Sequence, residues 1–205
     1  MKTANLTQVA TAALFFHIGI THASETNFIC RACCLWSLPP TTFTDKSLYQ
    51  VESKWTTDAG NAIKLGSLEG RPQVMLMFFS HCTTACPILI NDLRRIEATL
   101  APEVRTKVGF TLVSFDSQCD TPTALAEYRQ AWKLPANWTL LNSKPDDVSE
   151  LAALLGVQYK RSADGQFAHS NVITLLDAAG EISFQQAGLN ADPQAMADRI
   201  GQIIK

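Results

Sequence analysis

The stretch FFSHCTTACPILI, Phe78 to Ile90, places two cysteines four residues apart between two differently patterned segments. Before it, PQVMLMFF (72–79) is a continuous apolar run of strand length, typical of a strand buried in a central sheet. After Pro87 the apolar residues recur along one face of a helix, at Ile88, Leu89, Leu93, Ile96 and Leu100. The sequence therefore predicts that Cys82 and Cys86 lie where a buried strand passes into a helix.

The segments on either side of this junction predict an order of strands and helices. A second buried strand is indicated at 107–115, helices at 121–132, 146–156 and 192–205, and a pair of strands within 171–188. A hairpin is expected within 47–68, around the turn signal Asp58-Ala59-Gly60. These elements predict an α/β fold with a central mixed sheet flanked by helices and an N-terminal β-hairpin extension. Their order is that of a thioredoxin-like fold, which carries its chemistry at the first strand-to-helix junction.

Composition and charge limit the classes of function. The 205 residues are 46% apolar and 18% charged with a net charge of -2, which suits one globular domain and a short appendage. The longest run of basic residues is Arg94-Arg95. The chain therefore lacks the positively charged patch that nucleic-acid binding requires. The six cysteines are too few for a disulfide scaffold and are interpreted group by group.

The first residues follow the plan of a signal peptide. Lys2 precedes an apolar run from Val9 to Ile20, and the small residues Ala23-Ser24 follow it. That run is shorter than the roughly 20 apolar residues that span a bilayer. We therefore expect residues 1–23 to be a leader and the protein to be exported to the periplasm, whereas an uncleaved leader would tether it to the membrane. Exported thiol pairs become disulfides unless a metal or a reductant protects them.

Residues 24–46 are predicted to form an irregular cysteine-containing tail, because Pro39-Pro40 interrupts any helix, and the folded domain is expected at 47–205. The tail carries Cys30, Cys33 and Cys34. Cys30 and Cys33 are spaced like one of the two cysteine pairs of a structural zinc site, but no matching second pair follows. Local disulfides, pairing between chains, passive thiols and a copper-relaying tail all stay open.

The cysteine pair has the geometry of a partial metal site. Two residues four apart on a helix project from the same face, and the positive end of the helix dipole favours thiolate over thiol. Thiolates are soft ligands for Cu(I) or zinc, but two of them leave the coordination incomplete, so a third ligand is expected elsewhere. His17 and His22 belong to the expected leader, and His81 adjoins the pair. His169, in the loop entering the strand VITLL, is the remaining candidate.

Three motifs together resemble those of the Sco/SenC family, thioredoxin-fold copper chaperones of cytochrome oxidase assembly. They are CTTACP (82–87), SFDSQCDTP (114–122) and FAHSNVITLLDAAG (167–180). The resemblance covers Ser47 to the C-terminus. It implies copper, as Cu(I) or Cu(II), with Cys82, Cys86 and His169 as its ligands.

The same resemblance assigns Asp116 and Asp120 to the acidic loop of the family. Two departures weaken this assignment: Ser117 stands where the family usually has proline, and Cys119 stands where it often has arginine. The two aspartates could equally be turn and helix-cap residues, because Asp before Thr-Pro is common capping chemistry. Cys119 could pair with a tail cysteine or act as a resolving thiol beside the copper site.

The resemblance implies a metallochaperone more than an enzyme. It would deliver copper to an apo-cytochrome oxidase subunit or another copper enzyme, with a thiol reductant such as a thioredoxin-like protein keeping both cysteines reduced. The alternative is a thiol-disulfide oxidoreductase in which Cys82 attacks and Cys86 resolves the mixed disulfide. A structural disulfide or two buried thiols, with His169 bonded only to backbone, is the remaining interpretation.

Overall fold

The computed structural model of the protein describes residues 43–204. The expected leader and the tail cysteines Cys30, Cys33 and Cys34 therefore lie outside the described residues. The strands are β1 (Lys54–Thr57), β2 (Ala62–Lys64), β3 (Gln73–Phe78), β4 (Gly109–Ser114), β5 (Trp138–Asn142), β6 (Tyr159–Arg161), β7 (Phe167–His169), β8 (Val172–Leu176) and β9 (Ile182–Ala187). The helices are α1 (Ala85–Thr99), α2 (Pro102–Arg105), α3 (Pro122–Ala131), α4 (Pro145–Leu154) and α5 (Pro193–Ile203), with short 3-10 turns at Leu48–Gln50 and Leu65–Leu68.

The strands form a seven-stranded mixed sheet in the order β2-β1-β5-β4-β3-β8-β9. The three inner strands β5, β4 and β3 run parallel, and the outer pairings are antiparallel. All residues of β3 and β4 are buried, as the continuous apolar runs predict. The expected α/β architecture, a mixed sheet flanked by helices, is confirmed, and the predicted hairpin β1–β2 extends one edge of the sheet by pairing with β5.

Local sequence signals account for the ends of several helices. Thr121 caps α3, with its side-chain oxygen accepting a hydrogen bond from the amide of Ala124 at 3.2 Å, and Pro122 occupies the first helical turn. Beyond α4, Gly156 takes a positive φ of 66°, a conformation open to glycine at little cost. Helix α1 packs against α5 at the other end of the chain. No helix within residues 43–204 combines the length and the apolar character needed to cross a membrane.

Two parts of the fold differ from the sequence-based expectation. Strand β5 is an inner strand of the sheet, although its pattern, WTLLN, is short and mixed. Strands β6 and β7 form a separate two-stranded ribbon outside the main sheet. Each ribbon strand is three residues long, too short for a period of two to be recognised in the sequence.

Ordered contacts begin ahead of Ser47, inside the segment expected to be tail. The ring of Phe43 meets that of Tyr49 edge-on at 5.8 Å. Thr44 donates a hydrogen bond from its hydroxyl to the carboxylate of Glu181 at 2.6 Å. Leu48 donates its amide to the carbonyl of Gly180 at 3.0 Å. These contacts attach the start of the described chain to the turn between β8 and β9.

Candidate metal centre

The cysteine pair lies at the carboxyl end of β3, where the predicted strand-to-helix junction is found. A turn follows the strand, in which the amide of Cys82 donates to the carbonyl of Phe79 at 3.3 Å. Cys86 is the second residue of α1, and its amide donates to Cys82 Sγ at 3.3 Å. Cys86 is fully buried and Cys82 keeps 9% of its surface exposed. Cys82 is therefore the thiol within reach of a partner.

His169 is brought to this pair by the β6–β7 ribbon. The sequence placed it in a loop, whereas it is the last residue of β7 and pairs with Tyr159. Its Nδ1 lies 3.0 Å from the carbonyl oxygen of Ser170, which can only accept, so this nitrogen carries the proton. In the neutral ring Nε2 then presents a lone pair, 3.8 Å from Cys86 Sγ. This is the tautomer and orientation that a metal-binding imidazole needs.

The two thiols differ in acidity because their surroundings differ. Partial burial raises the pKa of Cys82, but hydrogen bonds from the amides of Cys86 and Thr84 and from the side chain of Cys86 outweigh it, so the pKa falls to about 7. Complete burial, followed by the neighbouring Cys82 sulfur, raises the pKa of Cys86 far above its ordinary value. Near neutral pH Cys82 is thus partly ionised to the thiolate, while Cys86 stays a thiol.

The three side chains can hold one metal ion. One atom from each of Cys82, Cys86 and His169 lies within 4.8 Å of the other two. Three ligands held by one ion at bonds of about 2.0–2.3 Å lie roughly 3.5–4.0 Å from one another. The 3.8 Å between Cys86 Sγ and His169 Nε2 already falls in this range. Among residues 43–204 this is the only group of three such side chains that could hold a metal ion. Two thiolates and an imidazole suit copper. The thiolates are soft ligands that favour Cu(I), and the imidazole is a borderline ligand that also suits Cu(II).

The two aspartates of the acidic loop stay outside this cluster. Asp116 is buried and its Oδ1 accepts hydrogen bonds from the amides of Gln118 and Cys119 at 3.3 and 3.2 Å, which is a turn-forming role. Asp120 is fully buried, and its carboxylate does not cap α3 because Thr121 does so.

Asp120 instead forms hydrogen bonds with the segment that precedes the cysteine pair. Its carboxylate accepts a hydrogen bond from the amide of Ser80 at 3.0 Å and further bonds from the hydroxyls of Ser80 and Ser114. The backbone carbonyl of Asp120 accepts from the side-chain amide of Asn142 at 2.6 Å. The chain between β3 and Cys82 is thereby joined to the loop after β4.

Cys119 and His81 are also separate from the three-residue cluster. Cys119 is exposed, and the neighbouring Asp116 carboxylate, by hydrogen bonding and by charge, raises its pKa above the ordinary value. The side chain of His81 is 69% exposed, with Nδ1 3.0 Å from the hydroxyl of Ser80 and 3.9 Å from the carboxylate of Asp120. His81 thus points toward the Asp120 network.

Aromatic side chains that the sequence did not single out surround His169. Phe79 and Phe115 follow the ends of the adjacent strands β3 and β4, and both are buried. Tyr159 and Phe167 come from the ribbon itself. The ring centroids of Phe115 and Phe79 lie 5.1 and 6.3 Å from that of His169. The position of Phe79 and Phe115 at the carboxyl ends of two parallel strands was the signal that could have identified them.

Solved structures share this fold. The chain superposes on the copper-bound ScoI of Arabidopsis thaliana with a TM-score of 0.65 and 20% identity, covering 74% of this chain and 95% of that one. It superposes on BsSco, a member of the Sco family of cytochrome c oxidase assembly proteins in which a disulfide switch was identified, with a TM-score of 0.64 and 20% identity over 77% and 95% of the two chains. At these identities the likeness establishes the fold, and the expected thioredoxin-like class is confirmed.

Sequence comparison leads to the same family. A protein of Stutzerimonas stutzeri, named "Putative copper-binding protein", is 24% identical over 120 residues, 57% of this chain. The match spans 58% of that protein's length. The model of the SCO1/SenC family matches residues 43–205, a range that includes Cys82, Cys86 and His169. The resemblance drawn from the three motifs is confirmed, and the chain belongs to the SCO1/SenC family.

Proposed function

We propose that this protein binds one copper ion through Cys82, Cys86 and His169. The observation that carries the proposal is the convergence of two sulfurs and an imidazole nitrogen within 4.8 Å, with His169 Nδ1 already engaged by Ser170. Membership of the SCO1/SenC family supports it, as do the copper-bound Arabidopsis relative and the name of the Stutzerimonas relative. Binding requires both sulfurs reduced, so oxidation to a disulfide abolishes the site.

The copper is cargo, delivered to an apo-metalloprotein. The site supplies three ligands, so an incoming thiolate or imidazole of the recipient can add before one of them leaves. Cys82, the more accessible sulfur, is the first to be displaced, and the buried Cys86 is the last. The proposed recipient is an apo-cytochrome oxidase subunit, since BsSco belongs to a family of cytochrome c oxidase assembly proteins. Another copper enzyme with exposed ligands would exchange by the same steps.

Delivery of this kind is proposed to occur in the periplasm. The support is the signal-peptide pattern of residues 1–23, with a basic start, a short apolar run and small residues after it. An oxidising compartment makes a separate thiol reductant necessary, because the pair must be reduced before copper is loaded. A thioredoxin-like protein would serve, with Cys82 as the sulfur it attacks.

A copper titration of the reduced protein tests the proposal. The background is a Cys30/Cys33/Cys34 triple serine variant, so that tail thiols do not contribute copper. We expect one tightly bound copper, and a loss of affinity of at least about tenfold in His169→Ala, since even residues that only orient a metal ligand cost 10–100-fold. His81→Ala, the same substitution at an exposed histidine next to Cys82, is the matched control and should bind normally. Unchanged affinity in His169→Ala would overturn the three-ligand site.

A thiol-disulfide oxidoreductase is the second candidate function. It is favoured by the lowered pKa of Cys82, at about 7, beside a buried thiol that can resolve. The Cys82 thiolate would attack a target disulfide, releasing one target thiolate; the Cys86 thiolate would then displace the second and leave a Cys82–Cys86 disulfide. His169→Ala separates the two candidates, because a pure oxidoreductase should retain most of its exchange rate in that variant.

A further inference from the structure

His169 is held by an element with little stability of its own. The β6–β7 ribbon consists of three residue pairs and is not hydrogen-bonded into the seven-stranded sheet. An isolated two-stranded ribbon is marginal in water. The position of the His169 imidazole is therefore determined by whatever packs against the ribbon.

The ribbon packs against the rest of the protein through one of its two faces. Tyr159 pairs with His169 and Arg161 pairs with Phe167, so these four side chains share a face, because directly opposed residues and alternate residues of a strand point the same way. Lys160 and Ala168 point the other way and are exposed. The ribbon is thus attached to the body through the face that carries His169.

Phe115 is the residue of the body at the centre of that face. Its ring is stacked on Tyr159, with 5.2 Å between centroids and 9° between planes, and lies 5.3 Å from Phe167 and 5.1 Å from His169. Phe115 itself is fixed: it is 3% exposed, and its amide donates to the carbonyl of Phe78 at 3.0 Å. Phe79 supports the same side chains from the adjacent strand, at 5.0 Å from Phe167.

We propose that Phe115 is a positioning residue for the copper site: its ring holds the ribbon so that His169 Nε2 faces the two sulfurs. The inference rests on the proposed function for its effect on copper, but the placement of His169 is a property of the metal-free protein. Phe115 itself donates nothing to the ion. Its removal should therefore weaken copper binding only through His169, and should leave the Cys82–Cys86 pair as it is.

The test compares Phe115→Leu with Phe110→Leu in the full chain. Phe110 is the matched control, since it lies in β4, the strand that Phe115 follows, is fully buried and stacks on Trp138 at 5.2 Å and 14°, away from His169. Copper affinity is measured for each variant alone and combined with His169→Ala. We expect Phe115→Leu to lose about tenfold or more in the wild-type background, within the range for residues that orient metal-bound histidines. In the His169→Ala background it should lose almost nothing further.

A second readout does not depend on copper. NMR of the reduced, metal-free protein should show nuclear Overhauser contacts between the ring of His169 and the side chain of Cys86, whose sulfur lies 3.8 Å from Nε2. Phe115→Leu should weaken these contacts, whereas Phe110→Leu should leave them unchanged. If Phe115→Leu does not fold, Tyr159→Leu removes the other half of the stack at a half-buried position and should give the same two results.

The outcomes separate this inference from the proposed function. A wild type that binds no copper overturns the copper proposal, while the NMR comparison still decides the role of Phe115. Equal losses of copper affinity from Phe115→Leu with and without His169 would overturn the positioning role, because the effect would then be general destabilisation. Contacts between His169 and Cys86 that are unchanged in Phe115→Leu would overturn it as well.

Discussion

At the residue scale, Cys82 and Cys86 illustrate how four residues of separation produce two different thiols. Cys82 precedes the first turn of α1 and receives the amides of that turn, including that of Cys86 at 3.3 Å. Cys86 lies within the turn and faces the core, with no exposed surface. The helix start therefore stabilises one thiolate, and burial keeps its neighbour protonated.

This difference predicts the pH dependence of alkylation in the reduced, copper-free protein. The pKa of Cys82 is lowered to about 7, so its thiolate fraction, and with it the alkylation rate, should reach half of its maximum near that pH. Cys86 should react far more slowly at every pH, because its pKa is raised and its sulfur is buried. Iodoacetamide labelling with peptide-level mass spectrometry measures each thiol separately.

Cys119 serves as the internal control of that experiment. It is exposed, so access does not limit its reaction, and the Asp116 carboxylate raises its pKa. Its half-maximal pH should accordingly lie above the ordinary range for a cysteine. The interpretation fails if Cys82 and Cys119 titrate together, or if Cys86 is alkylated as fast as Cys82.

The sequence identified residues whose chemistry is local, and missed those whose role depends on distant partners. Cys82 and Cys86 belong to one motif, and His169 could be found by elimination among four histidines. The role of Asp120 was not accessible, because its partner Ser80 is 40 residues away. Phe115 was missed for the same reason: Tyr159 and Phe167 come beside it only when the ribbon folds back over the strand ends.

At the scale of elements, strongly patterned segments were predictable and short ones were not. The apolar run of β3 and the amphipathic pattern of α1 each extend over enough residues to define a period. Strand β5 and the ribbon strands become strands through their pairing partners, β4 and β1 for the first and each other for the second. Tertiary pairing of this kind leaves little trace in a single sequence.

Helix α3 gives a prediction that belongs to this scale. Thr121→Ala removes the hydroxyl that accepts from the amide of Ala124 and should lower the free energy of unfolding by about 1 kcal/mol. Thr121 directly follows Asp120, so the same change should also weaken the hydrogen bonds between Asp120 and Ser80. Urea unfolding followed by tryptophan fluorescence measures the stability.

Thr123→Ala is the matched control for this change. Thr123 is exposed in the first turn of the same helix, so replacing it tests the loss of a threonine without the loss of the cap. Its effect should stay within about 0.5 kcal/mol, the usual range for exposed surface positions. Equal destabilisation by the two substitutions would mean that the Thr121 hydroxyl does not act as a cap.

At the scale of the whole molecule, the sheet separates a reactive end from a structural end. The carboxyl ends of the parallel strands β3 and β4 carry the cysteine pair, Phe79 and Phe115, as is usual for sites in open α/β sheets. The opposite end is closed by the start of the described chain. There Ser47 donates its hydroxyl to the carbonyl of Ala179 at 2.5 Å, across 132 residues of sequence.

Gly180 is the residue on which this closure depends. It has a φ of +84°, and a Cβ added there would lie 2.5 Å from Cδ2 of the buried Tyr49. Gly180→Ala should therefore incur both backbone strain and overpacking, whereas Gly188→Ala, at a φ of +98° with open space around it, should incur the strain alone. We expect Gly188→Ala to cost about 1–2 kcal/mol of unfolding free energy and Gly180→Ala roughly 1–3 kcal/mol more.

Because Gly180 and the cysteine pair lie at opposite ends of the sheet, Gly180→Ala should lower stability without altering the metal site. Gly180 follows β8 at the end where Leu176 pairs with Gln73, the first residue of β3, while the cysteines follow its last residue. In Gly180→Ala protein that is still folded, copper affinity and the alkylation profile of Cys82 should match those of the wild type. Urea unfolding and copper titration on the same samples measure both quantities. A variant that loses copper affinity in proportion to its stability would show that the closure at one end of the sheet also controls the geometry of the site at the other.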